Sequence, residues 1–156
     1  MLLVSALMFL PLLSRGAGDA PLDRATLRGV KSVNIVLDPL DPALEQQGIA
    51  PGALASRIEA RLTAANVAVD PAAAEFLGLR ITSVRANKGP FALSLSIGLY
   101  QPVVLVRDAK IRTATETWGV ETVVMADAKL LQKACNETVD DLVDRFVAAY
   151  RSVNPE

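Results

Sequence analysis

The run Phe91-Ala92-Leu93-Ser94-Leu95-Ser96-Ile97-Gly98-Leu99-Tyr100 puts a large apolar residue at every odd position and mostly small or polar residues between them. Successive side chains of a strand point to opposite faces, so a period of two specifies a β-strand with one core face and one small-residue face. A strand dressed on one side only belongs to a sheet covered on one side only. The small-residue face, Ser94, Ser96, Gly98 and Tyr100, with Thr115 and Thr117 expected beside it, is the candidate partner-binding surface. Flat side chains let another backbone approach, although an ordinary wet sheet face has the same composition.

Toward the C-terminus, Pro102 lacks an N–H and predicts a bulge or an edge position before Val103-Val-Leu-Val106. Arg107-Asp108-Ala109-Lys110 reads as a turn. Ile111 to Val124 is rich in Thr, Val and Trp118, and completes a long antiparallel hairpin. Asp127 is then placed to cap a helix reaching about Tyr150. Its stripe is Leu131, Cys135, Val139, Leu142, Phe146 and Ala149, with Lys133, Glu137, Asp140 and Asp144 opposite.

Toward the N-terminus, Asn87-Lys88-Gly89-Pro90 is a turn signal, and Phe76 to Val84 sets Leu77, Leu79 and Ile81 against Arg80 and Thr82. Val67 to Asp70 is extended. Leu54, Ile58 and Leu62 define a helix over residues 51–65, begun by Pro51 and stopped at Asn66, with Arg57 and Arg61 on its polar flank. Val33, Ile35 and Leu37 alternate in a further strand, ended by Asp38-Pro39-Leu40-Asp41-Pro42, with a loop to Gly48. Asp19 to Arg28 reads as a polar linker. Met1 to Leu13 has Ser5 as its sole polar residue and is followed by Gly16-Ala17-Gly18. That run is shorter than the ~20 residues that span a bilayer and predicts a signal peptide over residues 1–20, although no basic residue precedes it. A buried N-terminal helix is the competing reading. No Cys follows the run to carry a lipid, so no stable membrane insertion is expected after cleavage.

The expected fold class is α+β: a two-layer sandwich in the order β-α-β-β-β-α, its mixed, mostly antiparallel sheet carrying two helices on one face. Residues 21–156 form one domain. Hydrophobic residues make up 51% of the 156-residue chain, enough for a self-sufficient core, and at 4% aromatic that core must be aliphatic.

Residue types then narrow the chemistry. With no histidine and a single cysteine, Ser-His-Asp and Cys-His sites, His-ligated and thiolate zinc sites and intrachain disulfides are excluded. Cys135 lies on the helix stripe as a buried thiol. No phosphate-binding glycine loop is present, and a net charge of −1 offers nucleic acid no basic field. Asp38 and Asp41 read as turn residues rather than a cation loop. Glu116 and Glu121 flank Trp118-Gly119, and would serve glycoside hydrolysis only beside an aromatic platform. No catalytic residue, cofactor or metal is therefore assigned, and the chain is expected not to be an enzyme.

The Val33–Leu37 strand, the helix of Leu54, Ile58 and Leu62, the restart at Asn66-Val-Ala-Val69 and the closing hairpin and helix resemble the N-terminal domain of TolB and related envelope proteins over most of residues 30–150. The Gln101–Val106 strand, the Trp118 strand and the Tyr150–Pro155 ending are similar to small exported bacterial proteins of unknown function. The resemblance lies in element order and carries no site residue; it implies an exported location. The expected function is a non-catalytic periplasmic or secreted domain that binds another envelope protein through a sheet face or edge. The alternatives are a carrier of a small apolar ligand held between sheet and helices, and a carboxylate-dependent hydrolase using Glu116 or Glu121.

Overall fold

The structure, a computed structural model, describes residues 18–155 except Ala86 and Lys88. The elements run α1 (Pro21–Ala25), β1 (Ser32–Leu37), α2 (Pro42–Gln46), α3 (Pro51–Ala64), β2 (Ala68–Val69), β3 (Phe76–Arg85), β4 (Phe91–Leu105), β5 (Asp108–Ala126) and α4 (Leu131–Val153). The strands form one sheet in the order β2-β1-β3-β4-β5. β1 is parallel to β2 and β3, while β3 to β4 and β4 to β5 are antiparallel. This is the expected α+β sandwich, with β2 as a fifth, two-residue strand.

Alternation builds the core. Leu77, Leu79 and Ile81 of β3 and Phe91 to Leu99 of β4 turn their odd-numbered side chains toward the helices, where Leu54, Ile58 and Leu62 of α3 and Leu131, Cys135, Val139, Leu142 and Phe146 of α4 meet them. Each fully buried aliphatic side chain contributes about 1.5–3 kcal/mol. Trp118 and Phe146 pack edge-on at the centre, with ring centroids 5.4 Å apart. On the outside, Arg57 and Arg61 of α3 clamp Asp140 of α4 at 2.6 and 2.8 Å. Burial pushes the Asp140 carboxyl up, but the hydrogen bonds from both guanidinium groups outweigh it and hold it below its ordinary range.

Local chemistry explains the boundaries. Asn66 takes the left-handed conformation, φ 61°, and lets Val67 N–H reach back to the Leu62 carbonyl at 2.9 Å, which closes α3. The loop expected before Gly48 contains α2, because the Asp41 carboxylate accepts from Ala43 N–H at 2.9 Å and nucleates a turn. Asp127 does not cap α4 with its side chain. Its carbonyl closes a turn at Leu130, and the helix starts at Leu131. The β4–β5 turn is tighter than expected, Val106-Arg107, with Asp108 already in strand.

The largest departure is at the start. Asp19 to Arg28 is not a free linker: Leu27 is fully buried, and the Asp19 carboxylate receives the Trp118 indole N–H at 2.8 Å and Arg24 at 2.6 Å. Gly119 N–H donates to the Gly18 carbonyl at 3.1 Å. The expected signal peptide, residues 1–20, lies outside the described residues as far as residue 17, while residues 18–20 adjoin the domain. Among the described residues no helix is long and apolar enough to cross a membrane.

Candidate functional site

The long helices α3 and α4 pack on one face of the sheet, and the register decides what the other face presents. Cross-strand partners share a face, so the open face can be read rung by rung. One rung is Asn34, Phe76, Tyr100 and Glu116 across β1, β3, β4 and β5. The next is Val36, Gly78, Gly98 and Gly119. The third is Arg80, Ser96 and Glu121. A glycine row thus lies between an aromatic rung and a charged one.

The glycines let the neighbouring side chains lie down. A Cβ on Gly78 would stand 3.0 Å from the Tyr100 ring, and one on Gly98 would stand 2.6 Å from a Glu116 carboxylate oxygen. One on Gly119 would collide with the other oxygen of Glu116. Tyr100 therefore leans over Gly78 and stacks on Phe76 with centroids 4.9 Å apart and planes within 3°. Its hydroxyl donates to Glu116 Oε2 at 2.9 Å. Partial burial raises the Tyr100 pKa, and the bond to Glu116 raises it further, so the phenol stays protonated and remains a donor. On the other side, Arg80 pairs with Asp38 at 2.6 Å.

Between these walls lies a groove of about 260 Å³ floored by Gly78 and Gly98 and walled by Phe76, Tyr100, Glu116 and Arg80. It offers an apolar aromatic side, the carboxylates of Glu116 and Asp38, and the Arg80 guanidinium. Such a surface suits a flat partner segment with both apolar and polar groups.

Of the residues expected on this face, Ser94, Ser96, Gly98 and Tyr100 share it, and Thr115 and Thr117 do not. The cause is a β-bulge. Leu99 pairs with Trp118 but Tyr100 pairs with Glu116, leaving Thr117 as the extra residue. Thr115 is thereby paired with Gln101 on the helix side, and the Thr117 hydroxyl lies 3.1 Å from Gln101 Oε1. Of the two expectations for Pro102, a bulge or an edge position, the second holds: Pro102 lies beyond the end of the β3 pairing and pairs with Ala114 alone, while the register shifts fall at Leu99/Tyr100 and Val104/Leu105. The same bulge brings Glu116 and Glu121, five positions apart and so on opposite faces of a regular strand, onto one face. Phe76, Gly78 and Arg80 were legible as members, since the alternation of Leu77, Leu79 and Ile81 already assigns their neighbours to the open side. Glu116 was hidden by the bulge.

The space between sheet and helices, where a carried ligand would lie, is filled by Trp118, Phe146 and the aliphatic stripes. Among the described residues no group of three or more His, Cys, Asp or Glu side chains is placed to hold a metal ion.

No protein-family model matches the chain, and no curated protein matches it. Among the solved structures similar to it are the following two. One is a PelC dodecamer from Paraburkholderia phytofirmans, with a TM-score of 0.43 and 11% identity over 74% of this chain and 85% of that one. The other is a minor lipoprotein from Acinetobacter baumannii, with a TM-score of 0.38 and 15% identity over 81% of this chain and 95% of that one. These comparisons do not show the likeness to the TolB N-terminal domain.

Proposed function

We propose that this chain is a non-catalytic exported domain, periplasmic or secreted, which binds another envelope protein on the open face of its sheet. The observation that carries this reading is the glycine-floored groove bounded by Phe76, Tyr100, Glu116 and Arg80. The groove depends on the cross-strand glycine row, which weakens the strands but lets Tyr100 and Glu116 lie flat and present an aromatic face beside a carboxylate. Export is inferred from the apolar run Met1 to Leu13.

A binding role is favoured over hydrolysis because the carboxylates are committed or apart. Glu116 accepts the Tyr100 hydroxyl, Asp38 is held by Arg80, and Glu121 does not line the groove. Glycoside hydrolysis needs two carboxyl groups facing one bond.

The test is chemical cross-linking and affinity purification from envelope extracts with the wild-type protein and with Ser96→Arg, which fills the groove from a half-buried position. The wild type is expected to retain a specific envelope protein that Ser96→Arg loses while keeping its far-UV circular dichroism. Equal recovery by both proteins refutes the sheet-face site.

A further inference from the structure

The sheet has a second unusual feature, which begins where the Tyr100 and Glu116 wall of the groove ends. β3 ends its pairing with β4 at Tyr100, so Gln101 to Thr115 continue as a two-stranded arm with no third strand. Two strands alone bury too little to be stable in water. Here the base of the arm is fastened by Gln101 Nε2 and the Thr26 carbonyl at 3.2 Å, and by the Thr26 hydroxyl and the Thr117 carbonyl at 3.3 Å. Beyond that point β5 is exposed on both faces, as are Val104, Val106 and Ile111. Arg107, Lys110 and Arg112 make no ion pair among the described residues. Asp108, the arm's one acid, has its carboxylate turned back to the Lys110 backbone N–H at 3.0 Å. A held, cationic, apolar-tipped arm is thus left without a partner.

The complementary surface lies at the other end of the same strand. β5 is the edge of the sheet, and between its residues 122–126 and α4 run two adjoining grooves of about 360 and 300 Å³ that share Ala134 and Glu137. Leu130 is exposed on the helix side of their rim, while Val123 and Met125, which share the open face with Ser94 and Ala92, are exposed at the strand edge. The larger groove is charged only by Glu137 and Asp141; Lys133 of the adjoining groove approaches Glu137 at 3.8 Å in an exposed pair, and Asp141 makes no ion pair among the described residues. Lys110 and Val123 are separated along one strand by about 40 Å at roughly 3.3 Å per residue, so the arm cannot fold onto its own groove.

We propose that the arm of one copy docks into the β5/α4 edge groove of a second copy, so that the chain assembles head to tail. Charge selects this arrangement, since pairing arm with arm would oppose two cationic surfaces. An anionic lipid surface would also attract the arm but would leave the acidic, apolar-rimmed groove without a role. A heterologous contact of this kind closes into a ring or extends as a filament, according to the rotation it imposes.

Sedimentation velocity of the full chain, from micromolar to millimolar protein, tests this. Wild type is expected to associate, less strongly as salt rises. Lys110→Glu with Arg112→Glu, and separately Glu137→Lys with Asp141→Lys, should each weaken association about 100-fold or more. Mixing the two doubly substituted proteins should restore it, because each then supplies the charge the other lacks. All four positions are exposed, so circular dichroism should be unchanged. Ser96→Arg should leave assembly intact, which separates this contact from the groove on the open face. A wild type that stays monomeric throughout overturns the proposal, whether or not it binds phosphatidylglycerol vesicles. So does association that survives both reversals, or a mixture that fails to reassociate.

Discussion

Replacing Asp19 with alanine tests whether the segment before β1 belongs to the folded domain. Trp118 is 1% exposed, and its indole N–H has the Asp19 carboxylate as partner at 2.8 Å. Removing the carboxylate strands a buried donor, which costs about 1–3 kcal/mol. The Arg24 pair adds less than about 1 kcal/mol, since solvent screens it. The expected loss is therefore about 2–3 kcal/mol, or a fall of roughly 5–10 °C in the melting midpoint of a domain this size. Trp118→Phe removes the donor at its source. In that background Asp19→Ala should lose only the Arg24 share, so the double-mutant cycle should show a coupling of about 1–2 kcal/mol. Urea unfolding followed by far-UV circular dichroism measures all four proteins without relying on the tryptophan.

The pH dependence supplies an independent check. Burial pushes the Asp19 carboxyl up, but hydrogen bonds from Arg24 and Trp118 outweigh it and lower its pKa below the ordinary 3.8. Its stabilisation is therefore complete above that value and is lost as the pH falls through the lower folded-state pKa. The gap between wild type and Asp19→Ala should stay constant from neutrality toward pH 4 and close below it. An additive cycle, within about 0.3 kcal/mol, or a gap that does not close in acid would refute the anchor and return residues 19–28 to the status of a linker.

Two further outcomes are expected. Burial pushes the Cys135 thiol up to about 11, so it should resist thiol reagents in the native protein and react at once in denaturant; stoichiometric labelling of the folded chain would contradict its placement in the α4 stripe. Asp140→Ala frees Arg57 and leaves Arg61 paired with Asp144 alone, and because both arginine side chains are over a third exposed the loss at neutral pH should be no more than about 1 kcal/mol by urea titration, fading in acid as the lowered Asp140 pKa is passed.

Much of this molecule was legible because strand and helix periods are local properties. The alternation from Phe91 to Leu99 fixed one strand and its two faces, and the stripes of Leu54, Ile58 and Leu62 and of Leu131 to Ala149 assigned both long helices. Hydrophobic burial has no directional requirement, so these patterns sufficed for a sheet covered on one side. Asn66 and Asn87 marked stops and turns for an equally local reason, their tolerance of positive φ.

Tertiary structure decided what a local pattern cannot carry. One extra residue, Thr117, reverses the parity of β5, which removes Thr115 and Thr117 from the small-residue face and puts Glu116 there with Glu121. No period in the sequence marks that bulge, because its site is set by how β5 pairs with β4. The alignment of Gly78, Gly98 and Gly119 likewise exists only once register is set, since these residues come from three separate strands. Asp19 reads as a linker residue until Trp118, 99 positions later, is brought against it. By itself the sequence determined that one face of a sheet would be left small and open. Register, which depends on long-range pairing, decided which side chains line that face and gave the glycine-floored groove its walls.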